Sequence, residues 1–343
     1  MATNSKLTRI LSIDGGGIRG IIPGQILVAL EKKLQQLDNN PKGKIADYFD
    51  MIAGTSTGGI LACIYLSPEK AGSKKPRFSA KEAVDLYLER GDEIFDISFW
   101  HKIKSAGGVI DEKYAADELE DALNDYMGEL KLSELIKPCL VSSYDIKRRK
   151  AHFFTQHDAN TNEHNYLVRE VARATSAAPT YFEVAKIKSL SNITYPLIDG
   201  GVFVNNPTLC AYAEARKLKF DKFRQKPSAK NMLIFSLGTG TTSKPYYYQD
   251  AKDWGMVQWI KPIIDIMMSG VAETVDYQLK QIYDAVGTPE QYLRISPELG
   301  NANADMDDAS MENLKALKVA GEKSAIKHDK DLTKLAEKLI ENK

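Results

Sequence analysis

The chain has 343 residues, of which 43% are hydrophobic and 27% are charged, a composition typical of a globular protein with a substantial core. Its 46 basic and 46 acidic side chains cancel, so the general attraction to phosphates is missing and we expect no nucleic-acid partner. No apolar run reaches the roughly 18 residues of a membrane span, and the first residues lack the basic, apolar and small-residue succession of a signal peptide, which predicts a cytoplasmic protein.

Two strand-turn-helix units open the chain. Residues 9–14 form a short apolar run that ends at three glycines, after which apolar residues recur at helical spacing from Ile22 to Leu34. Residues 51–53 form a second apolar run, which the turn at residues 54–58 joins to another apolar helix. Repeated units of this kind predict an α/β fold with a mostly parallel central sheet and helices on both of its faces.

Strands and helices continue to alternate up to about residue 240. After a polar loop at residues 70–77, Ser79 and Glu82 have the spacing of a capping box that opens a further helix. The remaining strands are predicted at residues 139–144, 151–155, 195–199 and 232–237, and the remaining helices at about 119–127, 167–174 and 209–218.

The pattern becomes mostly helical beyond Gly240. Residues 312–343 mix Lys and Glu with Leu and Ala, which predicts a helix packed on the surface of the core. We therefore expect an α/β core at residues 1–240 and a mostly helical C-terminal extension at residues 241–343, packed on the same domain.

The turn Gly54-x-Ser56-x-Gly58 has the form of a nucleophile elbow. In such an elbow a strained turn between a strand and a helix lifts a serine hydroxyl clear of the sheet, and small flanking residues prevent collisions. The pentapeptide by itself is a weak signal. Here an apolar strand precedes it and an apolar helix follows it, and this context favours Ser56 as a nucleophile.

A serine that attacks an acyl carbonyl needs backbone N–H groups to stabilise the oxyanion. Gly15, Gly16 and Gly17 lie between a strand and a helix, where such donors point outward, and Arg19 either fixes this loop or adds positive charge. Gly15 to Gly20 also match the dinucleotide-binding pattern G-x-G-x-x-G. That alternative needs an acidic residue at the end of a second strand, whereas Asp38 follows a helix.

A serine nucleophile needs a base that takes its proton. The usual base is histidine, but His101, His152, His157 and His164 lie in loop-like or polar surroundings, and His328 lies in a charged helix. Asp199 ends an apolar strand and is followed by Gly200 and Gly201, whose lack of a side chain allows another backbone to approach. The sequence therefore predicts a Ser56–Asp199 dyad, with Asp199 partly desolvated so that it can act as a base.

Taken together, these motifs resemble those of the patatin-like phospholipases. The oxyanion loop at residues 14–20, the elbow at residues 54–59 and the base motif at residues 199–201 occur in the order found in that family. The resemblance to plant patatins extends through residues 46–50, 177–182, 237–241 and 306–310. It implies a patatin-like fold, a Ser-Asp dyad without histidine, and hydrolysis of acyl esters of phospholipids, galactolipids or simpler lipids without calcium or any other cofactor.

Two alternatives stay open at this stage. The dyad fixes the type of reaction but not the leaving group, so a thioesterase or a protease is the first alternative. The second is a storage or binding protein that keeps the fold without activity, although the intact Ser56, Asp199 and glycines argue against it. As partners we expect lipid substrates and transient contact with a membrane surface or micelle.

Residues 254–268 contain two tryptophans, three methionines and five β-branched aliphatic residues. Lys261, Pro262 and Asp265 interrupt the run too closely for a membrane span. Two interpretations fit this composition: a helix buried in the core, or an exposed apolar cover beside the acyl pocket that contacts fatty chains or a membrane interface.

Overall fold

The computed structural model describes residues 6–95, 113–220, 226–241 and 245–343, which form an eight-stranded sheet flanked by helices. The strands are β1 (Thr8–Ile13), β2 (Met51–Thr55), β3 (Cys139–Asp145), β4 (Lys150–Thr155), β5 (Ala185–Lys188), β6 (Thr194–Asp199), β7 (Met232–Leu237) and β8 (Tyr292–Ile295). Neighbouring strands in the series β3-β2-β1-β7-β8 pair in parallel. β4 and β6 run antiparallel to β3, and β5 runs antiparallel to β6. The prediction of a mostly parallel sheet is confirmed.

Helices cover both faces of the sheet, as predicted. They are α1 (Ile21–Leu37), α2 (Ile45–Tyr48), α3 (Thr57–Leu66), α4 (Ala80–Phe95), α5 (Lys113–Met127), α6 (Val168–Thr175), α7 (Gly201–Val204), α8 (Thr208–Ala215), α9 (Tyr248–Ala251), α10 (Met256–Ala285), α11 (Met311–Lys327) and α12 (Asp329–Glu341). Side chains alternate between the faces of a strand. Leu11 of β1 packs in a cluster with α1, α3 and α4, whereas Ile10 packs in the opposite cluster with α8 and α10.

The strand register brings two distant parts of the chain together. β2 pairs with the first residues of β3, where Thr55 lies opposite Ser142, and β6 pairs with the last residues of β3, where Asp199 lies opposite Ser143. Because β2 is parallel and β6 antiparallel to β3, their C-terminal ends meet at neighbouring positions of that strand. The residue after β2 and the last residue of β6 are therefore side by side.

The region after residue 240 contributes to the sheet as well as covering it. β8 pairs in parallel with β7 at the sheet edge, and α11 and α12 pack against α1.

The prediction of a single helix at residues 312–343 is wrong, because the chain leaves helical geometry at His328, which separates α11 from α12. The capping box is confirmed, since the backbone N–H and the hydroxyl of Ser79 both donate to the Glu82 carboxylate, at 2.8 and 2.7 Å.

The core interpretation of residues 254–268 is wrong. Most of this segment forms the first half of α10, and none of its described side chains is buried. Met256 is 90% exposed, Trp259 38% and Met267 48%, so a large apolar area faces outward. Among the described helices, none combines the length and hydrophobicity required to cross a lipid bilayer.

Candidate active site

Ser56 occupies a strained turn between β2 and α3. Its φ of 54° lies in the left-handed region, which side chains other than glycine rarely adopt and which here projects the serine from the end of the sheet. A Cβ on Gly54 would lie 2.1 Å from the Gly58 carbonyl oxygen, and a Cβ on Gly58 would lie 2.2 Å from the Ile13 carbonyl oxygen. The two glycines thus let α3 begin directly against the ends of β1 and β2, which is the packing expected of an elbow.

Asp199, the last residue of β6, is only 4% exposed and faces Ser56. It accepts a hydrogen bond from the Gly201 N–H at 2.7 Å. Burial raises the pKa of Asp199 to about 6, although the neighbouring Ser56 side chain and the Gly201 N–H lower it. A carboxylate whose pKa is raised in this way is a stronger base than a free aspartate and is still ionised at neutral pH. The structure therefore brings the two predicted residues together.

Gly200 and Gly201 allow β6 to end against β3. A Cβ on Gly200 would lie 2.2 Å from the Ser142 hydroxyl, which leaves no room for a side chain. A Cβ on Gly201 would lie 3.1 Å from an Asp199 carboxylate oxygen and would crowd it. The two glycines therefore keep the carboxylate in place and free to accept the Gly201 N–H.

The backbone N–H groups of the glycine loop differ in whether they have an acceptor. The Asp14 N–H donates to the Leu237 carbonyl at 2.9 Å and the Gly15 N–H to the Asn205 carbonyl at 3.0 Å. The Ile18 N–H donates to the Met306 carbonyl at 2.9 Å. Within the described residues, the N–H groups of Gly16 and Gly17 donate to no acceptor. Two adjacent unpaired donors at the start of a helix are suited to bind an oxyanion.

Close contacts explain why this loop consists of glycines. A Cβ on Gly15 would lie 2.5 Å from Asn205 Oδ1 and 3.2 Å from the Ser56 Cβ, so the loop passes directly beside the serine. Gly17 has a φ of 58°, and a Cβ there would lie 2.3 Å from the Met306 carbonyl oxygen. A side chain is also excluded at Gly16, where it would collide with Thr239, and at Gly20, where it would collide with Thr57.

Arg19 is buried beside the loop, where its Nε and its backbone N–H both donate to the Gly16 carbonyl, at 3.3 and 3.2 Å. Burial lowers the pKa of Arg19, while the negative charge of Asp265 on α10 raises it. Arginine stays protonated in proteins. Arg19 is therefore bonded to the loop and places a positive charge next to it.

The histidines do not join Ser56 in the described part of the chain. His157 hydrogen-bonds Glu214, His164 hydrogen-bonds Thr161, and His328 hydrogen-bonds Asp331. His152 is not in a polar setting as expected: it packs edge-on against Phe154, and burial lowers its pKa to about 4. His101 lies outside the described residues.

Asp38 does not sit where a nucleotide site would need it. It follows α1 rather than a strand, and its carboxylate accepts hydrogen bonds from Tyr48 and Lys343, at 3.0 and 2.6 Å. The alternative of a dinucleotide site at Gly15 to Gly20 therefore has no acidic partner at Asp38.

One group among the described residues, His157, Asp158 and Glu214, has the composition of a metal site. Glu214 is already engaged, since it pairs with His157 at 3.0 Å and with Lys217 at 2.7 Å. None of the three residues hydrogen-bonds the dyad or the glycine loop in the described structure. The group provides no metal ligand next to Ser56.

Two residues of the site were missed in the sequence. Thr175, at the end of α6, accepts the Ser56 N–H at 2.9 Å and donates to the Ser142 carbonyl at 2.6 Å, so it ties the elbow to β3. Asn205 accepts the Gly15 N–H, and its side-chain oxygen is buried without a partner among the described residues. Thr175 lies two residues before the segment 177–182, and Asn205 lies shortly after the base motif, so proximity to these motifs was the available signal.

Comparisons with known proteins point to a single family. The model of the patatin-like phospholipase family matches residues 11–212. Patatin-like protein 4 of Arabidopsis thaliana is 34% identical over 93% of this chain and 83% of its own, and Patatin-17 of Solanum cardiophyllum is 36% identical over 92% and 83%. A Solanum tuberosum protein named Probable inactive patatin-3-Kuras 1 is 34% identical over 94% and 87%.

Among solved structures, the crystal structure of VipD from Legionella pneumophila aligns with a TM-score of 0.41 at 12% identity, covering 96% of this chain and 67% of that one. The family model covers more than half of the chain, and the plant relatives align over nearly all of it. The chain belongs to the patatin-like phospholipase family.

Proposed function

We propose that this protein hydrolyses acyl esters of phospholipids, galactolipids or related lipids through a Ser56–Asp199 dyad. Membership of the family supports lipid acyl hydrolase activity in general. The observation that carries the finer proposal is the position of Asp199, a buried carboxylate that lies beside the Ser56 side chain and whose pKa is raised to about 6. No metal or organic cofactor takes part in the proposed reaction.

The reaction proceeds in two steps. Asp199 accepts the Ser56 proton while the serine oxygen bonds to the acyl carbon, and the N–H groups of Gly16 and Gly17 hold the oxyanion. The ester bond to the leaving alcohol breaks, and the alcohol takes the proton from Asp199. Water then gives a proton to Asp199 and bonds to the acyl carbon, and the Ser56 oxygen leaves with that proton.

A fluorophosphonate is expected to modify the protein once, at Ser56, and excess chelator is expected to leave hydrolysis of a short-chain ester unchanged. The reason is that backbone donors rather than a metal stabilise the oxyanion. Mass spectrometry of the labelled peptide and ester hydrolysis with and without the chelator test both points. Ser56→Ala is the control and should remain unlabelled. Labelling at a different serine, or turnover that requires calcium, would overturn the proposed mechanism.

The substrate class is tested with the same preparation. Lipid mass spectrometry before and after incubation with membrane lipids is expected to show free fatty acid and the matching lysolipid. Thioester and peptide substrates serve as comparisons. Faster turnover of a thioester or a peptide would favour a thioesterase or a protease. Labelled but inactive protein would favour a storage or binding protein; one relative is itself named as probably inactive.

We further propose that the exposed stripe on α10 contacts the lipid surface. This α10 patch is defined by Met256, Trp259, Ile263, Ile266 and Met267, which are 38–90% exposed and recur at the spacing of one helix face. α10 packs against α7, which begins at Gly201, the last residue of the base motif. The negative charge of Asp265, on α10, raises the pKa of Arg19 beside the glycine loop. The patch therefore lies on a helix that contacts the residues following Asp199. Aromatic and aliphatic side chains of this kind are typical of contacts with a membrane interface.

Trp259→Ala is expected to reduce hydrolysis of vesicle phospholipid by about tenfold or more, because a buried aromatic contributes roughly 1.5–3 kcal/mol to an apolar contact. Hydrolysis of a soluble short-chain ester and the melting temperature are expected to change little. Ile326→Ser is the matched control, since Ile326 is 75% exposed on α11, outside the α10 patch. Equal loss on both substrates with a lower melting temperature would instead identify Trp259 as a packing residue.

A further inference from the structure

The glycine loop is held mainly by residues that lie beyond the part of the chain matched by the family model. That match ends at residue 212. The Thr239 hydroxyl donates to the Gly15 carbonyl at 2.6 Å, and the Met306 carbonyl accepts the Ile18 N–H. Arg294 of β8 binds the Asp14 carboxylate, directly before the first glycine. Both the start and the end of the loop are therefore fixed from the C-terminal third of the sequence.

We propose that Arg294 and Thr239 are positioning residues, which direct the N–H groups of Gly16 and Gly17 toward the oxyanion. This inference rests on the proposed function. It gives a role to residues 237–241 and 306–310, whose resemblance to plant patatins lies outside the dyad motifs.

The geometry of the Asp14–Arg294 pair is that of a two-point clamp. Arg294 Nη2 lies 2.6 Å from Asp14 Oδ2, and Nη1 donates to Asp14 Oδ1 at 3.3 Å. The same Nη1 donates to the Ser236 hydroxyl at 2.7 Å, on the strand between β1 and β8. The side chains are only 8% and 3% exposed. Two parallel contacts fix orientation as well as distance, so the end of β1 is fixed relative to β8.

The Asp14–Arg294 pair also affects the net charge next to the glycine loop. Burial raises the pKa of Asp14, and the adjacent Arg294 guanidinium opposes this shift by favouring the carboxylate. An unpaired carboxylate at this position would repel the negative charge that develops on the acyl oxygen. With Arg294 in place the pair is neutral, and Arg19 remains as the positive side chain bonded to the loop.

Thr239 contacts the glycine loop directly. Its hydroxyl binds the Gly15 carbonyl, and its side chain occupies the space where a Gly16 Cβ would lie, 2.3 Å from Thr239 Oγ1. The peptide plane between Gly15 and Gly16 contains both the carbonyl that Thr239 binds and the N–H of Gly16. Because the peptide is planar, holding the carbonyl also sets the direction of that N–H.

The test compares Arg294→Met, Arg294→Lys and Thr239→Val with the wild type. The probe is a short-chain alkyl trifluoromethyl ketone, which Ser56 converts to a stable tetrahedral alkoxide. We expect each variant to weaken affinity for this ketone about 10- to 100-fold and to lower kcat by a similar factor, with KM for the matching ester nearly unchanged, since a misplaced donor acts on the transition state. Arg294→Lys should lose less than Arg294→Met because it keeps the charge.

Arg9 supplies the matched control. It forms a buried two-point pair with Asp50 at the other end of β1, at 2.7 Å, with side chains 2% and 10% exposed. Arg9→Met and Arg9→Lys should lower the melting temperature, as we also expect for the Arg294 variants, but should leave kcat and ketone affinity unchanged. If Arg294→Met does not fold, Arg294→Lys and Thr239→Val still test the proposal.

Wild-type ketone affinity and kcat in Arg294→Lys and Thr239→Val would overturn the inference, as would an equal effect of the Arg9 variants. Failure of the proposed function is a separate result: the wild type itself would then neither bind the ketone nor react with a fluorophosphonate at Ser56.

Discussion

Ser56→Ala and Asp199→Asn are each expected to lower kcat on a short-chain ester by about 10³-fold or more, and the double variant by little more than either alone. Groups that act as one unit are strongly non-additive, because removing either one already disables the shared proton transfer. The Ser56 side chain lies close enough to Asp199 to lower the pKa of its carboxyl, and this proximity is the structural basis for treating them as one unit.

Steady-state kinetics of the three variants measure this effect, with fluorophosphonate labelling as a second readout. Asp199→Asn should label far more slowly than the wild type, since its serine has no base. His157→Gln is a suitable control, because His157 contacts Glu214 rather than the dyad. Near wild-type turnover in Asp199→Asn, or losses that multiply in the double variant, would show that the two residues do not form a dyad.

Asp199→Asn is also expected to make the folded protein more stable above about pH 6. The folded-state pKa of Asp199 is raised from 3.8 to about 6, chiefly by burial. A group with a raised pKa contributes stability that is fully present below its unfolded pKa and is lost as the pH rises through its folded pKa. At about 1.4 kcal/mol per unit, a shift of about two units means that the ionised carboxylate costs roughly 3 kcal/mol.

The free energy of unfolding, measured with urea at about pH 4 and about pH 8, tests this expectation. Asp199→Asn should exceed the wild type by roughly 1–3 kcal/mol at the higher pH, and the difference should shrink toward zero at the lower pH. Ser56→Ala removes no titrating group, so any change it causes should depend less on pH. A stability difference for Asp199→Asn that is the same at both pH values would contradict a raised pKa.

Much of the sheet could be predicted because its strands are short apolar runs bounded by glycines or polar residues. β7 matches the predicted residues 232–237 in full, and β3, β4 and β6 are each one residue longer than predicted. β5 and β8 were missed. Each has four residues, and the charged Arg294 of β8 and the exposed lysines of β5 break the apolar pattern that identifies a strand.

The site could be predicted as far as its motifs are local in sequence. Ser56, Asp199 and the glycines each stand in a recognisable turn, but the contacts that hold them depend on tertiary structure. Thr175 and Thr239 lie beside or within segments that resemble plant patatins, but that resemblance does not indicate their contacts, and Arg294 carries no local pattern that distinguishes it from an ordinary polar residue. For residues 254–268 the local pattern is clear but the tertiary contacts are not, since the composition reveals an apolar helix but not whether that helix is buried in the core. The expected cytoplasmic location and the division at residue 240 stay predictions.

The meeting of β2 and β6 on one strand has a consequence for folding. Ser56 and Asp199 become neighbours only when β3 has paired with both strands, and these pairings join segments far apart in the chain. Non-local strand pairing is slow because the loops between the strands must close first. Activity should therefore return late during refolding, after most helical structure has formed, and the time course of ester hydrolysis would report completion of the sheet rather than collapse of the chain.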